Sequence, residues 1–335
     1  MSDVTAVILS IGEPYTARAV ASVERQTLPA AETILVSGTS PFHRALNEGA
    51  ARVRTRYFVQ VDADMILDDT CFAELRSRAD DSFGLVSALL RDPVVGRLMG
   101  IRMYLTECFQ RVQIRDSISP DMDFTNDAFR HGWSRQFVLR YAGLPPELWH
   151  TLGDHRPDYT LPYAFCKFVR EGIRARYRRR EGRVRAMFEK LRRSDHDIAT
   201  VALIAFSHGL FLRDPRDLLV PSFRTPEVEI LDAFLASAGP CGDLPGSWNE
   251  DCGGDLRKCF QRAFESGLRA RQESAAARFL NRLAHLKRNS DIASWMAIVA
   301  MCHGLFCARD APEDIAAAYA SLDEILAEGP PCEIA

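Results

Sequence analysis

The chain has 335 residues, of which 47% are hydrophobic and 26% charged, with a formal net charge of -3. That length admits two domains of ordinary size, and the composition excludes a disordered or fibrous chain. The near-neutral charge implies no global polyelectrolyte partner, and the nine cysteines have no CxxC spacing and no disulfide ladder, so reduced thiols in a cytoplasmic protein are expected.

The N-terminus enters "VTAVILSIG" without the basic leader of a signal peptide, so none is expected. Residues 5–11 are predicted as a strand and 16–26 as a helix. A strand at 32–38, a helix at 43–53, a strand at 56–64, a helix at 70–79 and a strand at 83–90 follow. Aliphatic and β-branched strands alternating with helices of about ten residues predict an α/β fold. The expected sheet is mainly parallel and Rossmann-like, with helices on both faces.

Residues 166–193 carry twelve Lys and Arg against three Glu. Phe168, Val169, Ile173, Tyr177, Val184, Met187 and Leu191 keep helical spacing, predicting one basic amphipathic helix. It is either a linker with its apolar stripe on the protein or a peripheral contact with anionic lipid at the inner face of a membrane. The run lacks the interleaved aromatics that stack bases, so no nucleic acid is expected. Beyond 194 an all-α domain is predicted. "DIATVALIAFSHGLFLRD" (197–214) answers "DIASWMAIVAMCHGLFCARD" (291–310), a weak repeat in which Asp would cap each helix start and Gly209 or Gly304 its end. His208 and His303 correspond and are expected to be satisfied core or capping histidines rather than a pair of ligands. The Gly/Pro-rich stretch 239–255 contains Cys241 and Cys252, with Cys259 beyond it, and lacks zinc-site spacing. The expected organisation is 1–165, a linker at 166–193, and 194–335.

The stretch "YFVQVDADMILDD" (57–69) ends a buried strand on two carboxylates, Asp62 and Asp64. Ligands bind beyond the carboxyl ends of strands in open α/β sheets. Two carboxylates there suit one hard cation, Mg²⁺ or Mn²⁺, completed by water and substrate phosphates.

The order of motifs over residues 4 to about 165 resembles GT-A glycosyltransferases of the family-2 type. "VILSIGEPYTARAVASVERQT", with Ser22 leading to Gln26-Thr27, is similar to that family's opening strand, loop and helix. "HRALNEGAARVRTRYFVQVDADMIL" resembles its Asn-x-Gly helix and DxD strand, matched at Asn47, Gly49, Asp62 and Asp64. "DMDFTNDAFRHGW" (121–133) resembles its later acidic motif, and "HTLGDHRPDYT" (150–160) its histidine segment. The resemblance implies a metal-dependent, inverting transfer of a sugar from a nucleotide-sugar donor to a glycan, lipid-linked or protein acceptor. It assigns Asp62 and Asp64 to the cation and donor, and His155, with His150 as rival, to the metal. It assigns Asp121, with Asp123 as close rival, to the general base; either acid is alternatively an N-cap for a helix at 124–131. Ser10, Glu13, Ser37, Thr39 and Asn47 are expected near the donor.

Two departures stand out. Ser37-Gly38-Thr39 occupies the place where the family carries a base-reading acid, and Asp127 stands where it often has Arg. A degenerate GT-A domain that binds a sugar nucleotide or a protein partner without turnover is the alternative from another class. A nucleotidyltransferase would need a Gly-rich loop after the first strand, where only one Gly occurs.

Overall fold

Seven consecutive buried residues form β1 (Val4–Ser10), the centre of a parallel trio. In the computed structural model, which describes residues 2–138, 149–177, 181–212, 226–237, 255–289, 291–308 and 312–327, β1 pairs with β2 (Glu32–Ser37) and β3 (Tyr57–Asp62). The chain divides into two units, Met1–Asp158 and Tyr159–Ala335.

In the first unit α1 (Thr16–Glu24) and α2 (Phe42–Arg52) connect the trio. β4 (Met65–Leu67) and α3 (Cys71–Arg76) follow, then β5 (Phe83–Asp92), β6 (Gly96–Leu105), α4 (Thr106–Arg111), α5 (Pro120–Arg130), β7 (Ser134–Phe137) and β8 (Gly153–His155). The strand order is β2-β1-β3-β6-β5-β8-β4, with β7 also on β5. The β-α-β half matches the sequence expectation. The sheet also holds strands that the sequence pattern did not reveal, and β6 runs antiparallel between β3 and β5.

The β5–β6 hairpin has a local cause. Asp92 Oδ1 accepts the backbone N–H groups of Val94 and Val95, both at 2.8 Å, and Gly96 takes φ +73°. An Asp that caps its own turn, followed by Pro and a left-handed Gly, is a turn signal. Helix α5 is fixed by Phe124, buried in an aromatic cluster with Phe58, Tyr104 and Phe109 at centroid distances of 5.1–5.3 Å. The helix begins at Pro120 after Ser119, four residues earlier than expected. Asp121 and Asp123 therefore lie inside its first turn, where the helix dipole favours acids, and neither is the N-cap.

The second unit contains α6 (Leu161–Tyr177), α7 (Glu181–Arg193), α8 (Ala199–Gly209), α9 (Pro226–Ala236), α10 (Leu256–Gln272), α11 (Ala276–Lys287), α12 (Ile292–Gly304) and α13 (Pro312–Ala327). Residues 166–193 thus form parts of two helices rather than one. Phe168, Val169, Ile173, Val184 and Leu191 are buried, so the apolar stripe is spent inside the unit. No described helix is long and apolar enough to cross a membrane. Except for Asp255, the 239–255 stretch lies outside the described residues. Cys71, Cys108, Cys166, Cys259, Cys302 and Cys307 are free thiols.

The repeat reaches further than the sequence pattern showed. "EGIRAR" (171–176) answers "SGLRAR" (266–271), so α6 and α8 correspond to α10 and α12. Arg176 donates to the Leu210 carbonyl and Arg271 to the Leu305 carbonyl, at 3.3 and 3.2 Å. A Cβ on Gly209 would strike the Val169 carbonyl oxygen, and one on Gly304 the Phe264 carbonyl oxygen. These glycines let paired helices touch backbone to backbone; they are not left-handed caps, because the C-cap residues are Leu210 and Leu305 in right-handed conformation. Asp291 caps α12 as expected, whereas α8 starts after Ile198 with no side-chain cap. His208 and His303 meet across the repeat with Nδ1 atoms 3.1 Å apart.

Candidate active site

The carboxyl ends of β1, β2 and β3 share one edge of the sheet. Register places Ser10 beside Ser37 and Leu9 beside Asp62, so four expected donor-site residues flank Asp62 along or just beyond that edge. Glu13 Oε2 accepts the Ser10 hydroxyl at 2.9 Å and the Ile11 N–H at 2.8 Å, closing the loop after β1. Thr39 donates to Glu48 at 2.9 Å. Asn47 is placed differently. Its amide bonds both the Ile114 carbonyl and the Ile114 N–H, at 2.8 and 3.2 Å, which gives it a bracing role.

Asp62 ends β3 on the face that carries Phe58 and Gln60. Its Oδ1 accepts Gln60 Nε2 at 2.9 Å, and Gln60 Oε1 accepts the Tyr104 hydroxyl at 3.2 Å. Burial pushes the Asp62 carboxyl up to about 6, with the Asp64 charge adding to the rise and Gln60, Arg102 and His155 opposing it. An acid raised in this way is expensive to ionise without a cation beside it.

Asp64 lies in the turn between β3 and β4. That turn is pinned by Ala63 N–H to Leu9 O at 2.9 Å and by Arg156 N–H to Asp64 O at 2.7 Å. Strand β8 brings His155 alongside, opposite Met65, with His155 Nε2 3.3 Å from Asp64 Oδ2. The other ring nitrogen, Nδ1, lies 2.7 Å from Asp92 Oδ2. The Asp92 carboxylate is 0% exposed; in its ionised form it can only accept, which puts the proton on Nδ1. In the neutral ring, Nε2 then presents its lone pair to a carboxylate oxygen. Two acceptors 3.3 Å apart are stable with a positive charge at that edge, either a proton or a metal ion. Adjacent ligands of an octahedral Mg²⁺ with bonds near 2.1 Å stand about 3 Å apart.

On the same sheet face Arg102, from β6, reaches the first turn of α5 and donates to Asp121 Oδ2 at 2.6 Å. Its side chain is largely enclosed, and the Asp121 and Asp62 charges hold its protonation firm against burial. Asp121 is thereby committed to an ion pair. Asp123 is in none among the described residues. His150 pairs with Glu74 at 2.8 Å, which leaves His155 as the imidazole at the aspartates.

The motif-based reading did not include Asp92, Arg102 or Gln60. Gln60 interrupts an otherwise apolar strand and Asp92 opens a Pro-Gly turn, two visible signals, whereas Arg102 lies in a stretch whose Gly and Arg content hides the strand.

No protein-family model matches the chain, and no curated protein matches it. Solved structures do. A mannosyltransferase from Pyrobaculum calidifontis in complex with GDP-Man and Mn²⁺ is 14% identical, with 90% of this chain and 85% of that chain covered, at a TM-score of 0.42. Staphylococcus aureus TarS (residues 1–349) is 11% identical over 90% of each chain at a TM-score of 0.33, and its complex with UDP-GlcNAc is likewise 11% identical over 90% of each chain at 0.34. Likeness this loose assigns no residue a role. What the edge can do follows from its own chemistry: a carboxylate and an oriented imidazole 3.3 Å apart, with the Asp62 charge nearby, can attract a divalent cation. Among the described residues no group of three or more His, Cys, Asp or Glu stands ready around a metal. A Mg²⁺ or Mn²⁺ site built from one or two carboxylates plus substrate phosphates requires no such cluster.

Proposed function

We propose that the chain is a metal-dependent glycosyltransferase that moves a sugar from a nucleotide-sugar donor to an acceptor hydroxyl. The observation that carries this is the Asp62–Asp64–His155 edge, with His155 turned by Asp92 so that Nε2 faces Asp64. Asp64 and His155 Nε2, 3.3 Å apart, would hold Mn²⁺ or Mg²⁺ together with substrate phosphates, and Asp62 would add its charge beside them. When bound, the cation neutralises the diphosphate leaving group.

Ser10, Glu13, Ser37 and Thr39 would line the donor side. Asp123 takes the base role ahead of Asp121, whose carboxylate neutralises Arg102. In that step the acceptor hydroxyl gives its proton to the carboxylate, and its oxygen bonds the anomeric carbon. The bond from that carbon to the diphosphate breaks, and the nucleoside diphosphate departs with the electron pair. A direct displacement of this kind inverts the anomeric configuration. A positioned base is worth about 10²–10⁴ in rate. Asp123→Asn is therefore expected to slow release of nucleoside diphosphate about a hundredfold or more while leaving donor binding intact. If neither protein releases nucleoside diphosphate from GDP- or UDP-sugars with Mn²⁺ across a panel of hydroxyl acceptors, the edge belongs to a binding module instead.

Asp92→Asn tests the imidazole. An asparagine that keeps its Oδ1 on the Val94 and Val95 amides must turn an NH₂ toward His155 Nδ1. That forces the proton onto Nε2 and removes the lone pair. Outer-shell changes of this kind typically cost 10–100-fold in metal affinity. Mn²⁺ titration in the presence of a nucleoside diphosphate should show that loss, with the far-UV spectrum unchanged.

A further inference from the structure

The α4–α5 corner of the first unit holds an open cleft of about 530 Å³. Arg111, Arg115, Arg130 and His131 line it, with Asp127 as its acid. Asp127 binds two of the cations: Oδ2 accepts Arg115 Nη2, and Oδ1 accepts Arg130 Nη1 at 2.8 Å. Arg111 is held by Glu107 at 3.3 Å and lies over the Trp133 ring at 5.6 Å.

The arrangement leaves donors to spare. Each guanidinium has five N–H groups, and among the described residues Arg115 and Arg130 each use one nitrogen, on Asp127. Their side chains are 61% and 74% exposed, so the remaining donors face the solvent of the cleft. With Glu107 on Arg111, the three guanidiniums face two carboxylates, and Asp127 alone serves both Arg115 and Arg130, which leaves a formal excess of one positive charge. Asp127 also restrains two long side chains, which lowers the entropy lost when they grip a ligand. A fork of fixed guanidiniums suits the oxygens of a phosphoryl group. The cleft shares no lining residue with the carboxylate edge, and along α5 Asp127 to Arg130 lie about 9–13.5 Å from Asp121 at 1.5 Å per residue.

We propose that this cleft is a second binding site, for a ligand bearing phosphoryl groups. Guanidiniums in an exposed cleft attract anions over about a Debye length, so the binding must weaken with salt.

The test is calorimetric titration of the full chain with tripolyphosphate, in EDTA so that the Asp62–Asp64 edge takes no part. Binding is expected that weakens at least tenfold from 0.05 to 0.3 M NaCl and at least tenfold in Arg115→Gln/Arg130→Gln. Arg115→Lys/Arg130→Lys, which keeps the charge and loses the fork, should fall between them, and Asp64→Asn should bind like wild type. A second arm separates the sources of phosphate. Inorganic phosphate competes with tripolyphosphate if the site takes a free phosphate, and GDP or UDP competes if it takes a phosphate ester. No binding of tripolyphosphate, or equal binding by the folded Gln variant, would overturn the site itself. Loss of metal-dependent donor binding at Asp64 is a different result, which would sink the transferase reading and leave the cleft standing.

Discussion

Lowering the pH from 7 to 5 is expected to remove about 2 kcal/mol of stability from the helical unit through His303, with His208 adding to the loss. The cause is the His208–His303 pair. Burial holds His303 down at about 3 and His208 well below its usual range, and the neighbouring imidazole adds to the fall at His208. Around the pair lie Phe211, Phe264, Phe306 and the Cys307 thiol. Nothing among those contacts offers a carboxylate to an imidazolium. Both groups titrate lower in the folded state than in the unfolded, so as pH falls below about 6.5 the unfolded chain takes up protons that the folded one refuses. The stability is complete above that pH and is lost below it. Urea unfolding followed by far-UV circular dichroism at pH 7 and pH 5 measures it. His208→Leu/His303→Leu should flatten the dependence. An unchanged slope in the double variant would place the acid sensitivity elsewhere.

Asp62→Asn should make the metal-free protein more stable and leave it unable to bind metal-dependently. A carboxyl raised to about 6 binds its proton more tightly in the folded state than in the unfolded. Stability therefore falls as pH climbs from about 4 through 6, and the deficit is complete above that. The shift corresponds to roughly 3 kcal/mol at 1.36 kcal/mol per pH unit. Asp62 keeps some solvent contact, so a gain of about 1–2 kcal/mol is expected from the neutral amide at pH 7.5 in EDTA. With Mn²⁺ and a nucleoside diphosphate the order should reverse: wild type gains stability and the variant does not. Destabilisation of the metal-free variant would mean that the Asp62 charge is already balanced by the protein.

The β-α-β half of the sheet and the position of Asp62 at the end of β3 were legible because both are local. A buried strand reads as an apolar run, and its end reads as the polar residues that follow. β6 was not legible: "GRLMGIRMYL" mixes Gly, Arg and Met, and only pairing on both sides makes it a strand. The role of Asp92 was hidden for a related reason. Its partner His155 is 63 residues away, and no sequence period brings β5 and β8 together. The repeat was underestimated because its most visible copy is the fully buried helix. The amphipathic α6 and α10 share only glycines, arginines and scattered apolar positions, which become matched once their contacts with α8 and α12 are seen. Asn47 shows the opposite case, a motif residue whose side chain is spent on bracing Ile114.

The most direct measurement is the thermal stability of wild type and Asp64→Ala against GDP, UDP and their sugar conjugates, with and without Mn²⁺. A ligand at 100 times its dissociation constant stabilises the folded state by about 2.7 kcal/mol, a shift the assay resolves. Wild type is expected to be stabilised by one nucleotide class only when Mn²⁺ is present, and Asp64→Ala by none. Stabilisation that ignores Mn²⁺, or that survives in Asp64→Ala, would contradict the metal-dependent transferase reading.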